Sequence, residues 1–200
     1  MWKETEVLKK IVADAACISH DTGSLHLQEK DSSASLRSVF IDKVSTEGIT
    51  LKLDYDSESF FRHNYGNRRC DFIILSRAKC DRVALFIDLK STGLSDADAS
   101  ERFPHVFNNS EPDYVPQLRS SSCFLEFLNV VMKEFCSCGA LSRYIKRRHR
   151  FFVVLHNKNL SAITRPITAT RPKRNDEPEK ALILHVDNDA HLNFEILVLC

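Results

Sequence analysis

The stretch Cys70–Ser91, CDFIILSRAKCDRVALFIDLKS, constrains this chain more than any other. Two apolar runs, Phe72–Leu75 and Val83–Ile87, are rich in β-branched and aromatic residues, and the polar segment Ser76–Arg82 joins them. That pattern reads as two strands of one hairpin. An acid stands at the outer edge of each run, Asp71 before the first and Asp88 after the second, and Lys90 follows two residues on. A hairpin centred between Lys79 and Cys80 pairs Leu75 with Ala84, Ile73 with Phe86 and Asp71 with Asp88. Opposed residues of an antiparallel pair share a face, with Cβ atoms roughly 4.5–5.5 Å apart. Lys90 joins that face because side chains alternate with period two. The register therefore predicts two carboxylates and an ammonium at one end of a sheet. Two bare carboxylates so placed repel, and one is driven toward protonation unless a cation joins them. Lys90 is one such cation and a divalent metal is another.

The chain around this hairpin has ordinary means. Lys and Arg number 28 against 27 Asp and Glu, which excludes a wholesale polycation, so any nucleic-acid surface must come from local clustering. With 200 residues, 43% of them hydrophobic, one domain with a core of its own is expected over residues 1–200. The apolar runs, about five or six residues at most, fall far short of a membrane span of ~20. The N-terminal MWKETEVLKK lacks the apolar core of a signal peptide, so a cytoplasmic location is the default expectation. The seven cysteines include no CxxC and complete no zinc-type spacing, so reduced thiols are expected. Cys136 and Cys138 with His149 are the one faint metal arrangement.

In chain order, Leu8, Ile11, Val12 and Ala15 make Trp2–Ala16 an amphipathic helix. Its geometry puts Glu4 within the apolar face and Glu6 on the solvated one, and an acid on a buried face needs a partner. Ile18–Ser35 reads as a loop or weakly extended segment. Val39–Val44 and Ile49–Tyr55 read as strands around the turn Ser45–Gly48. The polar run 91–113 is long for a connection in a compact domain and suggests a functional cover. A helix then starts at Glu111-Pro112-Asp113, carries Leu118, Leu125, Leu128, Val131, Met132 and Phe135 on its apolar stripe, and ends or kinks at Gly139. Phe151–Leu155, apolar on both faces, predicts a central strand. Ala181–Val186 and Phe194–Leu199 predict a last hairpin spanning residues 181–199.

A helix, strands, an acid-ended hairpin with Asp-x-Lys, a second helix and a further strand follow one another in that order. The arrangement resembles the core of the PD-(D/E)XK nuclease superfamily. Asp71 stands for the first motif acid, Ile87-Asp88-Leu89-Lys90 for the (D/E)XK element, and Gln117 opens the following helix, where several branches carry a glutamine. Glu4 stands where the family often supplies a further acid. Cys70 replaces the usual proline, and the second acid is Asp rather than the commoner Glu.

The resemblance implies an α/β fold with a restriction-endonuclease-like core: a mixed β-sheet flanked by helices (αβββαβ) over about 1–156, with the C-terminal hairpin added. It implies metal-dependent hydrolysis of phosphodiesters, in DNA first and by endonucleolytic cleavage. Mg²⁺, with Mn²⁺ able to substitute, would sit on Asp71, Asp88 and the Leu89 carbonyl, with Lys90, Gln117 and Glu4 completing the catalytic set. A homodimer or a subunit of a larger complex suits a chain with no separate recognition domain.

Phosphate contacts would fall to local cations: Arg68 and Arg69 beside the acids, the run Lys146, Arg147, Arg148 and Arg150, and the loop Arg171, Lys173 and Arg174. Nothing in the chain points to base reading, and the loop residues His63 and His105 are incidental candidates. Two other classes remain open: a catalytically inactive subunit of the same fold that binds nucleic acid or protein, and an α/β domain with a protein partner alone.

Overall fold

The computed structural model describes residues 3–29, 34–53, 69–79, 81–90, 112, 114–136, 140–157 and 172–199. Its centre is the expected hairpin. Strand β5 (Phe72–Ala78) pairs antiparallel with β6 (Asp81–Lys90), with Leu75 opposite Ala84 and Ile73 opposite Phe86. Ala78 faces Asp81, so the connection has only two residues, and Lys79 takes φ 53°. Short β-hairpin loops favour such positive φ because it matches the twist of the flanking strands.

Four more strands extend this pair into a mixed six-stranded sheet of order β1-β4-β5-β6-β7-β8. On one side β4 (Ile49–Lys52) runs antiparallel to β5, and β1 (Cys17–Ser19) antiparallel to β4. On the other, β7 (Arg150–Asn157) runs parallel to β6, and β8 (Leu182–Val186) parallel to β7. Strand β7 is buried from Phe151 to Asn157 and lies between two neighbours, the central place that its two-sided apolar run predicts.

Alternation divides the sheet's side chains between two cores. Ile73, Leu75, Phe86, Phe152 and Val154 face the helices α1 (Lys3–Ile11) and α2 (Tyr114–Cys136), meeting Leu8, Leu118, Leu125 and Met132. Ile74, Leu85, Ile87, Val153 and Leu155 face a second, three-stranded sheet of order β2-β3-β9, meeting Leu25, Leu27, Val39 and Ile41. Each fully buried side chain of this size contributes roughly 1.5–3 kcal/mol. Phe86 and Phe152 stack at 4.9 Å, which ties β7 to the hairpin on the helix side.

Several sequence expectations are corrected. The C-terminal hairpin does not form. Strand β8 joins the main sheet, whereas β9 (Ala190–Asn193) crosses to the second sheet and pairs parallel with β3 (Ser38–Asp42). Phe194–Leu197 is a short helix, α3, capped by Asn193, whose Oδ1 accepts from the Glu195 amide at 3.0 Å. The open edges of β7 and β3 offer unpaired backbone groups, and pairing with them outcompetes the local turn. Strands β3 and β4 likewise lie in different sheets, so Ser45–Gly48 is a crossover between layers. Of the two readings of Ile18–Ser35, loop or weakly extended segment, the extended one holds in part, since the segment contributes to β1 and holds β2 (Ser24–Gln28). The first helix ends at Ile11, with a 3-10 turn at Asp14–Ala16.

One glycine marks that crossover. A Cβ on Gly48 would lie 2.4 Å from the Leu75 carbonyl oxygen and 2.5 Å from His20 Nδ1. His20 is itself buried there, bonding the Ser45 carbonyl through Nδ1 and the Thr50 hydroxyl through Nε2, both at 2.9 Å. Among the described residues, no helix is long and apolar enough to cross a membrane.

Candidate active site

Extending the hairpin register by one residue brings Asp71 opposite Asp88 at the end of β5 and β6. The Asp71 carboxylate reaches across and accepts a hydrogen bond from the Leu89 amide at 2.5 Å. Asp88 is almost fully buried, and its Oδ2 lies 2.8 Å from Lys90 Nζ. The Lys90 ammonium also donates to Gln117 Oε1 on the first turn of α2. Asp71, Asp88 and Lys90 therefore converge, as the hairpin register predicts, and Gln117, expected from the resemblance alone, joins them.

The backbone fixes this meeting point. The Cys70 amide donates to Ser121 Oγ at 2.8 Å, and that hydroxyl donates to the Gln117 carbonyl at 2.9 Å. Ser121 thus ties the start of β5 to the turn of α2 that carries Gln117. The Cys70 thiol is buried and bonds the Phe72 carbonyl at 3.3 Å. Burial, with Asp88 and Asp71 nearby, pushes its pKa well above the usual thiol range, so it is a packed group and not a nucleophile.

Electrostatics follow from the crowding. Burial first, and then the Asp88 charge, hold the Asp71 carboxyl well above the usual carboxylate range. The Leu89 amide and Lys90 oppose that shift without cancelling it, and Glu29 adds to it. A buried carboxylate beside a second acid is a place where an added cation is stabilised. The donor set is hard: two carboxylates. It suits Mg²⁺ or Mn²⁺, which take one or two carboxylates and keep water in their other positions. Among the described residues, no three His, Cys, Asp or Glu side chains are grouped to hold an ion.

Glu4 lies elsewhere. It is half-buried, as its place on the helix face predicts, but it pairs with Arg82 at the start of β6. Arg82 stands six residues before Asp88, about 20 Å along an extended strand. Glu4 is an ion-pair partner at the far end of the hairpin, and Glu29 is the further acid whose charge reaches Asp71.

The basic candidates divide in the same way. Arg69 stands two residues before Asp71 in the chain, and its guanidinium lies over the Phe124 ring, 4.5 Å from its centroid. Lys146–Arg150 lies at the other end of the sheet, because Arg150 pairs with Ala84 while His156 pairs with Lys90. Several of these cations already have partners. Arg147 pairs with Glu177, Arg150 with Glu126 at 2.7 Å, and Arg174 with Asp176 at 3.6 Å. His149 uses Nδ1 on the Arg143 carbonyl, and its Nε2 accepts from Arg148, so it has no lone pair for the Cys136–Cys138 arrangement. Arg68, Arg171, His63, His105 and Cys138 lie outside the described residues, as does the expected cover over 91–113 except for Pro112.

Sequence reasoning missed a neighbour of Lys90 and the residue one strand beyond it. In the parallel register Lys90 aligns with His156 on β7, and His156 with His185 on β8. All three share the face of Asp88. Burial, then the neighbouring His185 and Lys90, push the His156 imidazole down to about 4, so it is neutral at physiological pH. The parallel register that aligns them is set by tertiary packing, and no spacing in the sequence announces it. Comparison of the chain with protein-family models, with curated proteins and with solved structures finds no match.

Proposed function

We propose that this chain is a metal-dependent nuclease with a restriction-endonuclease-like core, hydrolysing phosphodiester bonds in DNA. One observation carries the reading: Asp71, Asp88, Lys90 and Gln117 converge at the end of the central strand pair. Asp71 and Asp88 would hold Mg²⁺ or Mn²⁺ with the Leu89 carbonyl. When bound, the ion supplies Lewis-acid polarisation of the phosphate and a water of lowered pKa. Lys90, held between Asp88 and Gln117, orients the attacking water and offsets the charge that develops on phosphorus. Gln117 fixes the ammonium, and Arg69 contributes a phosphate contact at the edge of the site.

The reading is tested with supercoiled plasmid. The protein is expected to nick it with Mg²⁺ or Mn²⁺ and to stop on adding EDTA. Asp88→Ala and Lys90→Ala are each expected to lose at least about 100-fold in rate. Cleavage retained in both variants overturns the site assignment.

A second reading, a catalytically silent binding subunit of the same fold, has its own support. Each acid has a partner within the protein, Lys90 for Asp88 and the Leu89 amide for Asp71. Binding of DNA without cleavage under any divalent ion selects that reading.

A further inference from the structure

Next to the carboxylates, the same sheet face carries a donor set of different chemistry. His156 and His185 stand side by side at the ends of β7 and β8, with ring centroids 5.7 Å apart. His156 is 3% exposed. Its Nε2 and the Nδ1 of His185 are both buried and have no hydrogen-bond partner among the described residues. Buried polar atoms are almost always paired, so two unpaired nitrogens on adjacent side chains call for a ligand.

We propose that His156 and His185 form a nitrogen-donor site for a divalent first-row transition-metal ion of the Zn²⁺, Co²⁺ or Ni²⁺ class, one strand over from Lys90.

The geometry suits such an ion. With metal–nitrogen bonds of about 2.0–2.1 Å, each ring centroid lies roughly 3.2 Å from the metal. Two imidazoles on one ion at tetrahedral or slightly wider angles then have centroids about 5–6 Å apart, which spans the observed separation. The donor chemistry separates this pair from its neighbours, since imidazole favours zinc-type metals and carboxylate favours magnesium. The nearest cation, Lys90, has its charge offset by Asp88 at 2.8 Å. His156 is neutral at physiological pH and has a lone pair to give. The pair supplies two ligands, and water or an anionic oxygen completes the coordination. The site does not depend on the nuclease reading, because neither histidine belongs to the carboxylate set.

The test is a Co²⁺ titration of the full chain at pH 7.5, followed by the visible d–d absorption. Exposed imidazoles such as His26 and His191 can take up cobalt weakly, so the readout is the increment that the histidine variants remove. His156→Ala and His185→Ala are each expected to weaken that increment at least 10-fold. Asp71→Asn, and Asp88→Asn combined with Lys90→Gln so that no uncompensated ammonium faces His156, are expected to leave it within 2-fold. Because a change at buried His156 can unfold the chain, the half-buried His185→Gln is measured alongside, with circular dichroism as the check on folding. Zn²⁺ should also raise the melting temperature of the wild type and not that of His185→Gln. Absence of a wild-type increment, or one that survives in folded His185→Gln, overturns the proposal. An increment lost only in the Asp variants assigns the ion to the carboxylates and overturns it as well. Nuclease activity, present or absent, does not enter these outcomes.

Discussion

The Asp71 carboxylate and the Leu89 amide join across the ends of β5 and β6 at 2.5 Å, and this bond orients the acid that burial and Asp88 disfavour most. A carboxyl whose pKa is raised in the fold binds its proton more tightly folded than unfolded. Its charged form therefore costs stability as pH rises above the ordinary carboxylate range. Asp71→Asn removes that charge and keeps an oxygen for Leu89. Without divalent ion at pH 7, it is expected to raise stability by about 1 kcal/mol in urea unfolding, while cleavage is lost. A destabilised Asp71→Asn protein counts against the electrostatic picture.

Gln117 tests the positioning of Lys90. Its Oε1 accepts from the ammonium that also pairs with Asp88. Gln117→Leu is expected to lower the cleavage rate about 10-fold with little change in DNA affinity, since the lysine remains but is less well aimed. Gln117→Glu, which restores an acceptor, should recover part of the rate. Equal loss in both variants would indicate a packing role only.

Glu4 and Arg82 form a half-buried pair about 20 Å from Asp88 along β6. Glu4→Gln should cost about 1 kcal/mol of stability and leave plasmid cleavage within 2-fold. A large loss of cleavage in a folded Glu4→Gln protein would return Glu4 to the catalytic set.

His20 makes stability depend on acid. Burial pushes its imidazole from the usual 6.5 down to about 4. Between those values the unfolded chain binds a proton that the folded chain does not, so stability falls as pH drops from about 6.5 to about 4. The contribution is up to about 3 kcal/mol for this one residue, and it is fully present above pH 6.5. Urea midpoints measured across that window should decline in the wild type and decline less steeply in His20→Gln, where His156, also pushed down to about 4, still contributes.

Gly48 is packed against the Leu75 carbonyl and the His20 ring, with no room for a methyl group. Gly48→Ala pushes on main chain as well as on a buried histidine. A loss of at least about 2 kcal/mol is expected. Thermal melts of the single variant decide the point, and a neutral result would mean that the crossover yields.

Much of the hairpin was legible because its information is local. Two apolar runs and a polar joint centred between Lys79 and Cys80 set the pairing of Leu75 with Ala84, and with it the meeting of Asp71 and Asp88. Two-sided hydrophobicity placed Phe151–Leu155 at the centre of the sheet for the same reason. Helix periodicity chose Glu4 over Glu6 as the buried acid, yet it could not say what Glu4 would meet, because a helix face carries no record of which end of a strand it covers.

The sequence by itself determined the hairpin, its register, the apolar faces and the end of the sheet at which two acids and a lysine gather. Only the tertiary structure decided that β8 and β9 part into different sheets, that Lys146–Arg150 lies at the far end from the acids, and that His156 and His185 stand in a row with Lys90. The physical reason is the same in each case. Parallel pairing and edge pairing join residues distant in sequence. Their register is set by how whole layers pack, and no local pattern of side chains encodes it.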